Sequence, residues 1–134
     1  MNKIEHIGIA VNNLEEAIAT YTQLLGTPCY KTEEVESEGV KTAFFKLGDS
    51  KIELLEATTE NSPIAKFIAK KGEGIHHIAF DVDDISLKMK ELSEQGFRIL
   101  NEDPKSGADN KLVAFIHPKS SNGVLVELCQ EKRD

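Results

Sequence analysis

The chain has 134 residues, 40% hydrophobic and 29% charged, a single-domain length with enough apolar material for a real core. Its net charge of −7 argues against nucleic acid as the main partner, because neutralising phosphates needs clustered Lys and Arg, and no apolar run approaches the ~20 residues of a membrane-spanning helix. Cys29 and Cys129 lack CxxC or zinc-ribbon spacing and are expected as free thiols, and a first strand close behind Met1 leaves no room for a targeting segment, so a cytoplasmic protein is expected.

From Ile4 to Val11 the residues alternate, with Ile7, Ile9 and Val11 on one face and His6, Gly8 and Ala10 on the other. His6 therefore stands among small neighbours, which leave space for something to bind. Asn13 followed by Glu16 has the form of a capping box. Leu14, Ala17, Ile18, Tyr21, Leu24 and Leu25 then keep the spacing of one buried helical stripe, which Gly26 ends. Strands are expected over 29–35, 40–47 and 51–56, with Gly48-Asp49-Ser50 as the turn between the last two. Ser62-Pro63 opens a helix as cap and first position; Ile64, Phe67 and Ile68 form its apolar side and Gly72 stops it.

The same order then returns. A strand over 75–82 leads through Asp83-Asp84 to a helix carrying Ile85, Met89 and Leu92, ended by Gly96. Strands are expected over 97–101, 112–116 and 124–129, with Ser121-Asn122-Gly123 as a hairpin turn. His6 and His77 stand 71 positions apart, and Glu53 and Glu127 stand 74 apart, so the second hairpin holds three extra residues. The pattern is a tandem duplication of one βαβββ unit: module 1–57, a bridging helix 62–71 and module 74–131, within one α+β domain over 1–134.

Each copy supplies one histidine and one glutamate at corresponding strand positions. Glu53 lies between Ile52 and Leu54, and Glu127 between Val126 and Leu128. A carboxylate inside such a strand must protonate, find a partner or bind a cation. One such acid alone would read as facing solvent; two at matched positions, with matched histidines, point to a divalent metal held by His6, Glu53, His77 and Glu127. Mixed N/O ligation suits Zn, Ni, Co, Mn or Fe(II), with positions left for water or substrate. His76 is out of phase with His77 and reads as structural, His117 as a loop residue, and Cys129 as a small core residue. Lys66, Lys70, Lys71, Lys105, Lys111 and Lys119 read as solvated surface groups. No Ser-His-Asp or Cys-His arrangement stands out, and no phosphate-cradling glycine loop.

The stretches I-E-H-I-G-I-A-V, S-P-I-A-K-F-I-A-K-K, G-I-H-H-I-A-F-D-V-D-D-I and H-P-K-S-S-N-G-V-L-V-E-L, with P-K-S-G from Pro104, carry a family resemblance. The duplicated unit resembles the vicinal-oxygen-chelate, or glyoxalase-like, superfamily. Along nearly its whole length the chain is similar to the methylmalonyl-CoA epimerases of that superfamily. The resemblance implies paired βαβββ modules forming a curved mixed sheet around a metal (Co, Mn, Ni or Zn). It implies a 1,1-proton transfer at the α-carbon of an acyl-CoA substrate, with Glu127 both a ligand and a base on one face. It also implies a homodimer, and Lys105 or Lys119 near the CoA phosphates. The chain departs from part of the family at Thr42, where some epimerases carry a glutamate, so the acid–base group for the other face is unassigned. The ligand at Glu53 varies between Gln and Glu in the superfamily. Glyoxalase I (lactoylglutathione lyase), with the same ligand types, and a non-enzymatic small-molecule binder of this fold are the alternatives. A dioxygenase would need two His, one carboxylate and iron.

Overall fold

In the computed structural model, which describes residues 1–132, the chain runs β1 (Ile4–Ala10), α1 (Leu14–Leu25), β2 (Lys31–Val35), β3 (Val40–Leu47), β4 (Ser50–Ala57), α2 (Pro63–Lys71), β5 (Gly74–Asp81), α3 (Ile85–Glu94), β6 (Lys105–Ser106), β7 (Lys111–Ile116) and β8 (Val126–Glu131). Arg133 and Asp134, the end of the expected 1–134 domain, lie outside the described residues. This is the expected α+β sequence of two βαβββ modules. By internal contacts, His6–His76 form one compact unit, and Met1–Glu5 with the chain from His77 onward form the other.

In the first unit the strand order is β2-β3-β4-β1. β1 and β4 are parallel, and β3 pairs antiparallel with both β4 and β2. One face buries Ile9, Ala43, Phe45, Ile52 and Leu54 against Leu14, Ala17, Ile18, Tyr21 and Leu25 of α1. Phe45 and Leu54 are fully buried, and removing each side chain from water contributes about 1.5–3 kcal/mol. The opposite face carries His6, Thr42, Phe44 and Glu53. Farther along, the same face buries Ala10, Val35, Val40 and Leu55 against Ile64, Phe67 and Ile68 of α2. The helix ends follow the sequence signals. The Asn13 side chain accepts from the Glu16 N–H at 3.0 Å, and the Ser62 hydroxyl accepts from the Ala65 N–H at 3.0 Å with Pro63 in the first turn. Leu24, expected in the buried stripe of α1, is 70% exposed, because it lies at the margin of that stripe in the last turn.

The second unit repeats the plan in the order β5-β8-β7-β6, with β5 parallel to β8. Ile85, Met89 and Leu92 of α3 pack on Leu112, Ala114, Ile116, Val126 and Leu128. Ala79, Val113, Phe115 and Cys129 lie together on the other face. The chain start is tied to β5: Asn2 N–H donates to the Asp81 carbonyl at 2.9 Å, and the Asn2 amide reaches the Asp81 and Asp83 carboxylates at 3.0 Å.

Three local expectations are corrected. Residues 97–101 make only one bridge, Ile99 to Ile116, rather than a strand. The Asn101 side chain accepts the Phe115 N–H at 3.0 Å, replacing a backbone ladder bond, and its amide donates to the Asp103 carbonyl at 2.7 Å. The outer pairing passes instead to Lys105–Ser106. The hairpin turn expected at 121–123 is the end of a longer connection between the antiparallel strands β7 and β8. Pro118–Ser121 form a 3-10 turn closed by Asn122 and Gly123 at φ 59° and 88°, and this turn absorbs the extra residues. Lys111 is buried rather than solvated, beside the buried Glu5 carboxylate.

Gly39 sits at φ +64°, between β2 and β3, where a Cβ would lie 2.7 Å from Thr59 Oγ1 and 2.9 Å from Ser62 Cβ at the cap of α2. Gly48 at φ +59° has open space around it. Gly48→Ala is expected to cost about 1–2 kcal/mol from backbone strain alone, and Gly39→Ala clearly more, because the start of α2 must shift as well. Urea denaturation of the two variants checks the order.

Candidate functional site

His6 and Glu53 come together because β1 and β4 are parallel neighbours in a fixed register. Gly8 pairs with Glu53 and His6 with Lys51, so these four positions share a face. His6 Nε2 lies 3.2 Å from Glu53 Oε1, and both residues are buried, at 5% relative exposure. Phe44, opposite Glu53 on β3, is buried beside them. Thr42 lies two residues along on the same face, 1% exposed, and its hydroxyl donates to the Glu33 carbonyl at 3.3 Å.

The second unit repeats the arrangement position for position. Ala79 pairs with Glu127 as Gly8 pairs with Glu53, and Phe115 lies opposite Glu127 as Phe44 lies opposite Glu53. His77 Nε2 is 3.3 Å from Glu127 Oε1, with both residues again buried. The Phe115 ring meets the His77 ring edge-on, with centroids 6.4 Å apart. Cys129, two residues beyond Glu127 and fully buried, donates its thiol to Glu127 Oε2 at 2.7 Å. Glu127 is thus held at both oxygens, by an imidazole and by a thiol.

The donor set fits a metal in each pair taken by itself. A neutral imidazole nitrogen and an ionised carboxylate oxygen both present lone pairs, so their close approach in a buried place requires an electrophile between them, either a proton on Nε2 or a cation. The residue types are the N and O donors that divalent first-row metals take.

All four expected ligands are buried, and the structure groups them as His6 with Glu53 and His77 with Glu127. His76 stands apart, its ring edge-on to Phe67 with centroids 5.0 Å apart, which is the structural role expected for it. His117 Nδ1 accepts the Lys119 N–H at 3.0 Å and caps the 3-10 turn. Sequence reasoning missed two contacts. Lys111 Nζ lies 3.8 Å from Glu5 Oε2, and both side chains are buried, so the lysine is placed by an acid rather than by water. The Cys129–Glu127 bond was the other. The available signal was strand parity, since Lys111, Val113 and Phe115 share one face of β7 and Glu127, Cys129 and Glu131 share one face of β8.

Cys129→Ala removes a buried sulfur and leaves Glu127 without one donor; destabilisation of about 1–3 kcal/mol is expected. Cys129→Ser keeps a hydroxyl donor and is expected to lose less. Equal losses in chemical denaturation would show that the sulfur serves as filler only.

A sequence model of the glyoxalase/bleomycin resistance protein/dioxygenase superfamily matches residues 5–115. The ethylmalonyl-CoA/methylmalonyl-CoA epimerase of Cereibacter sphaeroides is 43% identical, over 97% of this chain and 98% of its own. Among solved structures, a substituted form of the Streptomyces coelicolor methylmalonyl-CoA epimerase in complex with 2-nitronate-propionyl-CoA aligns with a TM-score of 0.95 at 36% identity, covering 98% of this chain and 95% of that one. A probable lactoylglutathione lyase of Vibrio cholerae matches at 27%, over 98% of this chain and 93% of its own.

Proposed function

The chain belongs to the glyoxalase/bleomycin resistance protein/dioxygenase superfamily, and we infer that within it the protein is a methylmalonyl-CoA epimerase. The observation that carries this reading is the full-length likeness to acyl-CoA epimerases in a chain that keeps a buried His–Glu pair in each module. The weaker likeness to a lactoylglutathione lyase favours the epimerase over the glyoxalase reaction. The nitronate bound by the Streptomyces relative belongs to a class of planar, delocalised anions, the kind of species that loss of an α-proton from a thioester produces.

In this reading the two modules act as one domain, and His6, Glu53, His77 and Glu127 together hold one divalent cation. That cation would supply electrostatic stabilisation of the charge that develops on the thioester oxygen as the α-proton leaves. The side chains supply the rest. The two imidazoles give neutral nitrogen donors and leave the net charge of the site to the carboxylates. Phe44 and Phe115 place an aromatic wall opposite each carboxylate and keep water from it. Glu127 accepts the α-proton on one face of the substrate, and the Cys129 thiol keeps its carboxylate from rotating. Acyl-CoA esters are intracellular, and Cys29 and Cys129 are free thiols, so the cytoplasm is the proposed location. Among the described residues no helix is long and apolar enough to cross a membrane. A homodimer belongs to the same reading and can be measured by sedimentation.

The test is proton exchange at the α-carbon. In D2O with Co, Mn, Ni or Zn added singly, the protein is expected to label methylmalonyl-CoA and to leave the methylglyoxal–glutathione hemithioacetal unchanged. Conversion of the hemithioacetal alone would establish the lyase instead. His77→Ala is expected to lower both metal content and epimerisation, the latter by at least about 100-fold. If both persist, His77 is not a ligand.

A further inference from the structure

Inverting a carbon centre through a planar intermediate needs a proton acceptor on one face and a proton donor on the other. Glu127 meets one requirement. The other was left open at Thr42, and the structure closes that route: the Thr42 hydroxyl is spent on the Glu33 carbonyl, and a threonine carries no carboxylate.

The register of the first unit supplies a replacement. Glu33 on β2 pairs directly with Thr42 on β3, Thr42 with Leu55 on β4, and Phe44 with Glu53. Side chains of directly paired residues project from the same face, and so do those two residues apart along a strand. Lys31, Glu33, Val35, Val40, Thr42, Phe44, Glu53, Leu55, His6, Gly8 and Ala10 therefore share one face. The burial of β2 agrees, with Lys31, Glu33 and Val35 half-covered while Thr32 and Glu34 are exposed. Val35 packs with Ala10 and Leu55 on that same face. Only two of these residues carry a carboxylate, Glu53 and Glu33. Glu53 faces His6, and Glu33 lies 3.4 Å from Nζ of Lys31, two residues back on β2, with its side chain 31% exposed. Two strand spacings, about 10 Å, separate the backbones of β2 and β4. That gap is what a glutamate side chain reaching from β2 and a substrate over Glu53 would have to fill.

We propose that Glu33 is the acid–base group for the face of the substrate that Glu127 does not serve. The assignment rests on the epimerase reading above. It places in the first module, one strand outward from Thr42, the carboxylate that inversion requires. In one direction Glu127 takes the α-proton and Glu33–COOH returns a proton to the opposite face of the same carbon; in the reverse direction the roles exchange, and between successive forward turnovers Glu127 gives its proton to water while Glu33 takes one from water.

The test uses the metal-loaded full chain and each pure epimer of methylmalonyl-CoA in D2O. Wild type is expected to invert and label both. Glu33→Gln is expected to invert either epimer about 10²–10⁴-fold more slowly. It should still exchange the α-proton of the one epimer that presents it to Glu127, with metal content and circular dichroism unchanged. Glu34→Gln, on the outward face of β2, is expected to behave as wild type. Inversion by Glu33→Gln at the wild-type rate, equal loss of exchange from both epimers, or an equal defect in Glu34→Gln would each overturn the assignment. A wild-type protein inert toward both epimers would overturn the epimerase reading and the assignment with it, and this outcome is recognised before any variant is assayed.

Discussion

Glu53 and Glu127 lie in strands whose flanking residues are wholly apolar, and both are nearly sealed from water. A charged carboxylate in that setting costs several kcal/mol unless something electropositive meets it. The surrounding architecture satisfies this need. In each unit a parallel strand delivers an imidazole beside the carboxylate, small residues (Gly8 and Ala79) keep the intervening pair position open, and an aromatic ring lies opposite. The helix-packed face supplies the apolar burial that holds these strands together, leaving the other face available for polar chemistry.

Duplication explains why the two pairs match so closely. The same register recurs around both glutamates, yet the surroundings have diverged. Glu127 has the Cys129 thiol at its second oxygen, and the position that corresponds to Cys129 in the first unit is Leu55, which packs under α2. One carboxylate is held by polar contacts at both oxygens, while the other has an apolar neighbour two residues on. In the proposed reaction that asymmetry would let the two copies share the ligands of one cation and differ in proton handling. The outer strands have diverged further: where Glu33 faces Thr42, the second unit has Lys105 facing Val113, with the Lys105 ammonium 5.5 Å above the Phe115 ring.

The strands, the helices and their caps were legible in the sequence because each rests on short-range periodicity, and the modules because the same order of elements returns; which imidazole meets which carboxylate was not, since that follows from the parallel register of β1 on β4 and β5 on β8. Alternation placed His6 opposite Ile7 and Ile9, and Asn13 and Ser62 announced their helices. What escaped had causes outside local pattern. The run 97–101 has strand-forming residues, but the Asn101 side chain competes for the backbone and ends the pairing after one bridge. Lys111 looked like a surface lysine because its partner, Glu5, lies far away in the chain. The role proposed for Glu33 depends on which strand lies beside which, and that follows only from the register of β2 on β3.

The placement of β2 at the end of its sheet has a further consequence. β3 is the most apolar strand of the first unit, with Val40, Ala43, Phe44 and Phe45 all buried, and such a segment is a template for aggregation if its backbone is left open. The strand that shields it carries Lys31, Glu33 and Glu34, charges of the kind that make an edge a poor partner for a second molecule. In the second unit the corresponding edge is only two residues long, too short to recruit a foreign strand. Under the role proposed for Glu33, solubility and catalysis make demands on the same few side chains, and a neutral β2 would trade turnover for a tendency to self-associate.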